Sequence, residues 1–283
     1  MQWGFTPECL LRRFNKLTTH TSMYPYQKKH LFYVLLLAFI ALTSAQGGQQ
    51  LYAATGFGGS EGELYILNPA DGSVIADIGL LNDADGNNYG LTGLRYDVSK
   101  GLLYGITGSS LTSPNSFVIV DPDTARVTYV GGPFSSRLSD IAIDPDTFTI
   151  YAISGSSKYF YTVDKRTGED TKIGNTETYP SRGGGFTADW RGVLYGTNDK
   201  TLYTYDNVTG EATAVGGTNL ELFVCALAFS PGGVLYGIEG GGGGDDSVRQ
   251  RWLVTIDADT GAAVELGETV GNLNALAFVP DLN

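Results

Sequence analysis

The residues able to do chemistry in this chain are few, and their types exclude most mechanisms. Both histidines, His20 and His30, and Cys9, one of 2 cysteines, fall within the first 45 residues. That stretch reads as a processing segment. Lys28, Lys29 and His30 precede an apolar run from Leu31 to Leu42, and Thr43-Ser44-Ala45 follows as a small-residue cleavage site. The run falls short of the ~20 residues that span a bilayer, so a secretory signal peptide cut after Ala45 is expected and no membrane span in the mature form. Met23 stands five residues before Lys28 as a natural initiator, which would make residues 1–22 a misassigned start. Residues 46–283 then hold no histidine and a single cysteine. A Ser-His-Asp triad, a His-ligated zinc, a Cys-His dyad and an internal disulfide all become impossible. Cys225 lies inside LFVCALAF (222–229) and reads as a buried strand thiol.

Carboxylates are the remaining chemical resource. The 283 residues carry 18 Lys+Arg against 30 Asp+Glu, a net charge of −12, and loss of residues 1–45 makes it −16. That excludes a nucleic-acid backbone as partner, which needs clustered cations. Asn82-Asp83-Ala84-Asp85-Gly86-Asn87-Asn88 offers oxygen ligands in a glycine-containing loop. Asp83, Asp85 and Asn87 are the calcium candidates there; no other cofactor is expected. The loop is not an EF-hand, because glycine directly follows the second Asp, and an acidic solvated loop is the competing reading.

What must position these groups is a repeat. A Leu/Ile-Tyr pair recurs at Tyr52, Tyr104, Tyr151, Tyr195 and Tyr236, separated by 52, 47, 44 and 41 residues. In step with it run NPADG (68–72), DPDTA (121–125), DKRTG (164–168), DNVTG (206–210) and DADTG (257–261). Their recurrence points to Asx-type turn chemistry rather than to metal ligands. A third element recurs as LTGLRYD (91–97), LSDIAID (138–144), GGGFTAD (183–189), VCALAFSP (224–231) and LNALAFVP (273–280). Four short β-rich runs per ~45 residues, repeated radially, predict a propeller. With strands lettered a to d from the axis outward, the first blade takes a, b, c and d at 91–96, 102–107, 116–121 and 126–131. The next three begin at 138, 184 and 224. The fifth takes strand a (273–279) from the C-terminal end and b, c and d (51–56, 63–68, 73–78) from the N-terminal end. The expected fold is all-β: a five-bladed propeller of four antiparallel strands per blade, one domain over 46–283, closed by its terminal strands.

Strand a alternates large with small residues, so neighbouring blades can interdigitate near the axis. Arg95 and Asp140 break the pattern, occupying small, neutral positions on adjacent blades. They read either as an inter-blade ion pair or as ligand contacts in the central channel. The a–b and c–d turns are short and stereotyped. The d–a and b–c connections share the other face and vary, and a binding site is expected there. Tyr89, Tyr179, Arg137 and Arg182 in those loops could stack on and hydrogen-bond a sugar or protein partner.

The pattern Ala-Phe-x-Pro, Gly-x-Leu-Tyr-Gly, Ile-Asp-x-x-Thr-Gly resembles the broad class of secreted WD-repeat, NHL and YVTN propellers over nearly all of residues 51–283. Trp-Asp and Gly-His of true WD repeats are missing, Asp189-Trp190 being the reverse order. The resemblance implies architecture rather than activity. Among similar propellers, lactonase-like ones use histidine and calcium. Glycoside-cleaving ones place two carboxylates at the central mouth, for which Asp140 is the one acid at a repeat position inside strand a. The expected function is therefore a secreted, non-enzymatic binding or scaffold module for an extracellular protein or glycan. The alternatives are a filament or homo-oligomer built by exchange of terminal strands, and a carboxylate-dependent glycoside hydrolase. In a eukaryotic host Asn207-Val208-Thr209 would be glycosylated, on a c–d turn.

Overall fold

Glycine, proline and aspartate punctuate this chain every few residues, so its strands are short and every one ends in a turn. In the computed structural model, residues 48–56, 61–108, 112–178, 184–240 and 250–281 are described. Segment 1–45, Tyr179 and Arg182 lie outside the described residues. Strands β1 (Gln49–Thr55), β2 (Glu63–Leu67) and β3 (Val74–Leu80) come first. The first blade is β4 (Leu91–Asp97), β5 (Leu102–Thr107), β6 (Phe117–Val120) and β7 (Val127–Gly131). The second is β8 (Leu138–Ile143), β9 (Ile150–Ser154), β10 (Tyr159–Val163) and β11 (Asp170–Asn175). The third is β12 (Phe186–Ala188), β13 (Leu194–Asn198), β14 (Thr201–Tyr205) and β15 (Ala212–Gly217). The fourth is β16 (Val224–Phe229), β17 (Leu235–Glu239), β18 (Arg251–Ile256) and β19 (Ala263–Thr269). Finally β20 (Leu273–Pro280) joins the first three strands in the order β20-β1-β2-β3.

The five four-stranded antiparallel sheets are the blades, and the ring closes where expected. β1 pairs with β20 from Gln49↔Pro280 to Thr55↔Leu273, with a register shift near Thr55. The terminal strands thus meet within one chain, each satisfying the backbone groups that the other would leave open.

Blades pack through the alternation on strand a. Its large residues lean on the preceding blade: Phe186 meets Phe160 edge-on at 6.1 Å, Phe229 meets Tyr195 at 5.3 Å, and Phe278 meets Tyr236 at 5.4 Å. Its small residues permit backbone contact. A Cβ on Gly185 would lie 2.6 Å from the Ala226 carbonyl carbon. The buried side chains form clusters that each bridge neighbouring blades. Among the described residues no helix is long and apolar enough to cross a membrane.

Candidate functional site

Five inner strands converge on the axis, and two charged side chains meet there. Arg95 Nη2 lies 2.9 Å from Asp140 Oδ2, with the aspartate fully buried and the arginine 7% exposed. The same guanidinium donates to the carbonyls of Leu94 and Phe186 and, at 2.6 Å, to that of Leu276. The carboxylate also accepts the N–H groups of Phe186 and Ile141, each at 2.8 Å. One ion pair therefore ties together strand a of the first, second, third and fifth blades. Burial pushes the Asp140 carboxyl up to about 7, against the opposing charge of Arg95 and the backbone donors. Burial likewise lowers Arg95, against the pull of Asp140. Of the two sequence readings for this pair, the geometry is that of the inter-blade ion pair. Asp140 exposes no surface to a sugar.

The acidic turns are occupied by their own backbone. Asp206 Oδ1 accepts N–H from Val208 (2.9 Å) and Thr209 (2.7 Å), and Asp164 and Asp257 accept the equivalent pairs. These bonds favour the charged form, so the N–H groups of Thr209 and Val208 hold Asp206 below the usual carboxylate range. Asn207 is exposed on this turn. In the second to fifth blades the turn also locks onto the blade before it. A Cβ at Gly131, Gly174 or Gly216, each next to a bulge in strand d, would overlap the Thr167, Thr209 or Thr260 carbonyl of the following blade. Blade twist carries the end of strand d round to its neighbour's c–d turn.

The calcium candidates fold onto themselves in the same way. Asp83 Oδ1 accepts N–H from Asp85 and Asn87, both at 2.9 Å; its Oδ2 accepts the Asn87 amide at 3.0 Å and the Tyr89 hydroxyl at 2.9 Å. The Asn87 amide, helped by Tyr89 and the backbone, draws Asp83 down to about 2. No group of three or more His, Cys, Asp or Glu side chains that could hold a metal ion occurs among the described residues. Tyr89, expected on an open loop, is 3% exposed and packs in the core between the fifth and first blades.

An open site remains between the second and third blades, on the face of the variable loops. Ser139, Ile153, Ser154, Ser157, Thr176, Thr178, Gly184, Thr197, Asn198 and Tyr205 line a shallow, open cleft. It is a wall of hydroxyls over an aromatic and aliphatic floor, the mixture that suits a neutral polar ligand. Several hydroxyls are pre-oriented. Thr197 Oγ1 donates to Val224 O at 2.9 Å, Thr176 Oγ1 to Thr178 O at 3.0 Å, and Ser154 Oγ accepts Ser157 N–H at 3.0 Å. Arg137, exposed, donates from Nη2 to Gly155 O at 2.6 Å beside the cleft. Tyr179 and Arg182 follow Thr178 in sequence, outside the described residues.

Sequence reasoning put Arg137 and its neighbouring Asn, Ser and Thr groups in the variable loops, and singled out none of the hydroxyls that line this cleft. The available signal was the polar residue ending each strand b: Thr55, Thr107, Ser154, Asn198 and Glu239. In the first three it fastens a b–c loop, as when Thr107 accepts Ser116 N–H at 2.8 Å. Glu239 instead accepts Leu222 N–H at 2.8 Å from the preceding d–a loop. Arg251, almost fully buried, also went unmarked; its Nε donates to Leu273 O at 2.9 Å. Cys225 is the buried free thiol expected, donating weakly to Ile238 O at 3.4 Å, and burial pushes its pKa up.

No family model matches the chain, and no curated protein matches it in sequence. Among solved structures, a chain of the nidogen/laminin complex aligns over 82% of this chain and 98% of its own, at 13% identity and a TM-score of 0.52. A protein of unknown function from Bacteroides thetaiotaomicron aligns over 80% and 67%, at 14% identity and 0.49. Virginiamycin B lyase from Staphylococcus aureus aligns over 75% and 68%, at 14% identity and 0.41. Identities this low speak for the fold alone, and the last two scores carry no argument. What the likeness shows is the β-propeller fold.

Proposed function

We propose that this propeller is an exported binding module whose ligand is a glycan seated between the second and third blades. The observation that carries the reading is the hydroxyl-walled cleft lined by Ser139, Ser154, Ser157, Thr176, Thr178 and Thr197. Sugars present hydroxyls that both donate and accept, and Ser and Thr answer in kind. The other places that attracted attention are already occupied: the axis by Arg95 and Asp140, the turn carboxylates by backbone N–H groups. The glycosidase reading requires two carboxyls facing the sugar, and the acid it rested on is sealed in the ion pair. Strand exchange requires open terminal strands, and here β1 and β20 occupy each other. Export rests on the apolar run 31–42 and its small-residue boundary.

The test is a glycan array probed with the 46–283 protein and with Ser157→Trp, which fills the cleft mouth. The Ser157 side chain contributes only one hydrogen bond, accepting Tyr159 N–H at 3.4 Å, so folding should survive. Binding by wild type and at least tenfold weaker binding by the variant supports the reading. Equal binding by both proteins moves the ligand elsewhere, and an array on which nothing binds leaves a protein partner as the occupant.

A further inference from the structure

One hydroxyl in the cleft is built differently from the rest. Ser139 packs closely between two glycines. A Cβ on Gly155 would lie 2.5 Å from Ser139 Oγ, and a Cβ on Gly184 would lie 2.8 Å from it. That same Gly155 position is 3.4 Å from Arg137 Nε and 3.5 Å from Nη2. Hydroxyl and guanidinium therefore lie against the same side of Gly155, where the missing side chain lets both approach. Neither is fully engaged within the fold: among the described residues Ser139 Oγ has no hydrogen-bond partner, and the Arg137 guanidinium makes a single bond, to Gly155 O.

We infer that the ligand carries an oxyanion, a carboxylate or a sulfate on the sugar, received by Arg137 and Ser139 at the cleft edge. The inference rests on the glycan reading and names the class of glycan. An arginine offers donors in a fixed fork that fits such groups, and a hydroxyl beside it can add one more bond. The rest of the cleft, neutral and hydroxyl-rich, would take the uncharged part of the ring. In a chain this acidic, a local cation also offsets the repulsion an anionic ligand would meet.

Calorimetric titration with three oligosaccharides of matched backbone (uronate-bearing, sulfated and neutral) tests this in wild type, Arg137→Gln, Arg137→Lys and Ser157→Trp. The expected result is binding of at least one acidic sugar about tenfold or more tighter than the neutral one, weakening with salt. Arg137→Gln should erase that preference, bringing acidic affinity down to the neutral level, with the melting temperature unchanged. Arg137→Lys should keep part of it, since charge remains and the fork is lost. The uronate and sulfate arms tell which group is held. A wild type without acidic preference, or a preference that survives Arg137→Gln, overturns the inference, and the reading beneath it stands if Ser157→Trp still blocks neutral binding. Failure of all three sugars to bind wild type removes both.

Discussion

The axis and the rim of this ring hold five blades together by opposite means. At the axis a single device, the Arg95–Asp140 pair, reaches four blades at once and has no copy elsewhere in the repeat. At the rim an ordinary device is repeated: an aspartate-anchored turn pressed against a glycine of the preceding blade, as at Thr167 and Gly131, Thr209 and Gly174, Thr260 and Gly216. The rim gains from redundancy and loses little when one copy is damaged. The axis concentrates its bonds in one buried charge pair, where each partner depends on the other. Arg95 Nε is itself left without a partner there. A device that strongly coupled suits a plug better than a ligand site, which leaves the cleft between blades free for binding.

Breaking the axis should give the largest effect. Asp140→Leu leaves the Arg95 guanidinium buried and uncompensated, a loss of about 3–5 kcal/mol in urea denaturation. The double variant Arg95→Met/Asp140→Leu should recover most of that, because a buried pair replaced by apolar groups is often neutral. A double variant as unstable as the single one would show that the bonds to Leu276 and Phe186, rather than the pair, hold the axis. The same site has a pH signature. Asp140 titrates at about 7 in the fold, above its ordinary value near 3.8, so the folded state takes up its proton first. Its contribution is complete below about pH 4 and is lost as the pH rises through about 7. The double variant should lack that slope between pH 4 and 7. Asp164, Asp206 and Asp257, drawn down by their turns, contribute in the opposite sense and lose stability as the pH falls below about 4.

A rim lock should cost less. Gly174→Ala sets a methyl against the Thr209 carbonyl, an overpacking cost of about 1–3 kcal/mol, with the other locks intact. A loss as large as that of Asp140→Leu would make the rim as concentrated as the axis. The smallest effect is expected at Ala125, the one non-glycine ending an Asp-x-x-Thr turn between strands c and d, at φ 55°. Ala125→Gly relieves a left-handed residue of about 1 kcal/mol and removes a buried methyl worth about 0.8 kcal/mol, so the net change should stay within about 0.5 kcal/mol. Gly210→Ala, at φ 78° and 2.5 Å from Phe160 Cβ, has no such balance and should destabilise clearly.

How far the sequence reaches differs between these regions. Blade number, strand positions and closure were legible because period-2 patterning and c–d turns of Asp-x-x-Thr-Gly type, strict in three blades and varied in two, are local signals that recur around the ring. The first blade was expected at 91–96, 102–107, 116–121 and 126–131, and its strands run Leu91–Asp97, Leu102–Thr107, Phe117–Val120 and Val127–Gly131. Arg95 and Asp140 were visible as violations of that repeat, though only the structure brings them within 2.9 Å. The cleft was not legible. Ser139, Thr176 and Thr197 are ordinary residues in sequence, and they become a site only where two blades bring them together. Tyr89 looked like a loop aromatic because its neighbours are polar. It turns inward because its hydroxyl has Asp83 to hold it.

Hydrogen exchange with and without the tightest-binding glycan separates ring from site most directly. The account predicts added protection at 154–157, 176–178 and 197–198, with no change at the axial segments 93–95 and 140–142. Protection at the axis, or at the turn face 189–192 and 206–210 with none in the cleft, would contradict it.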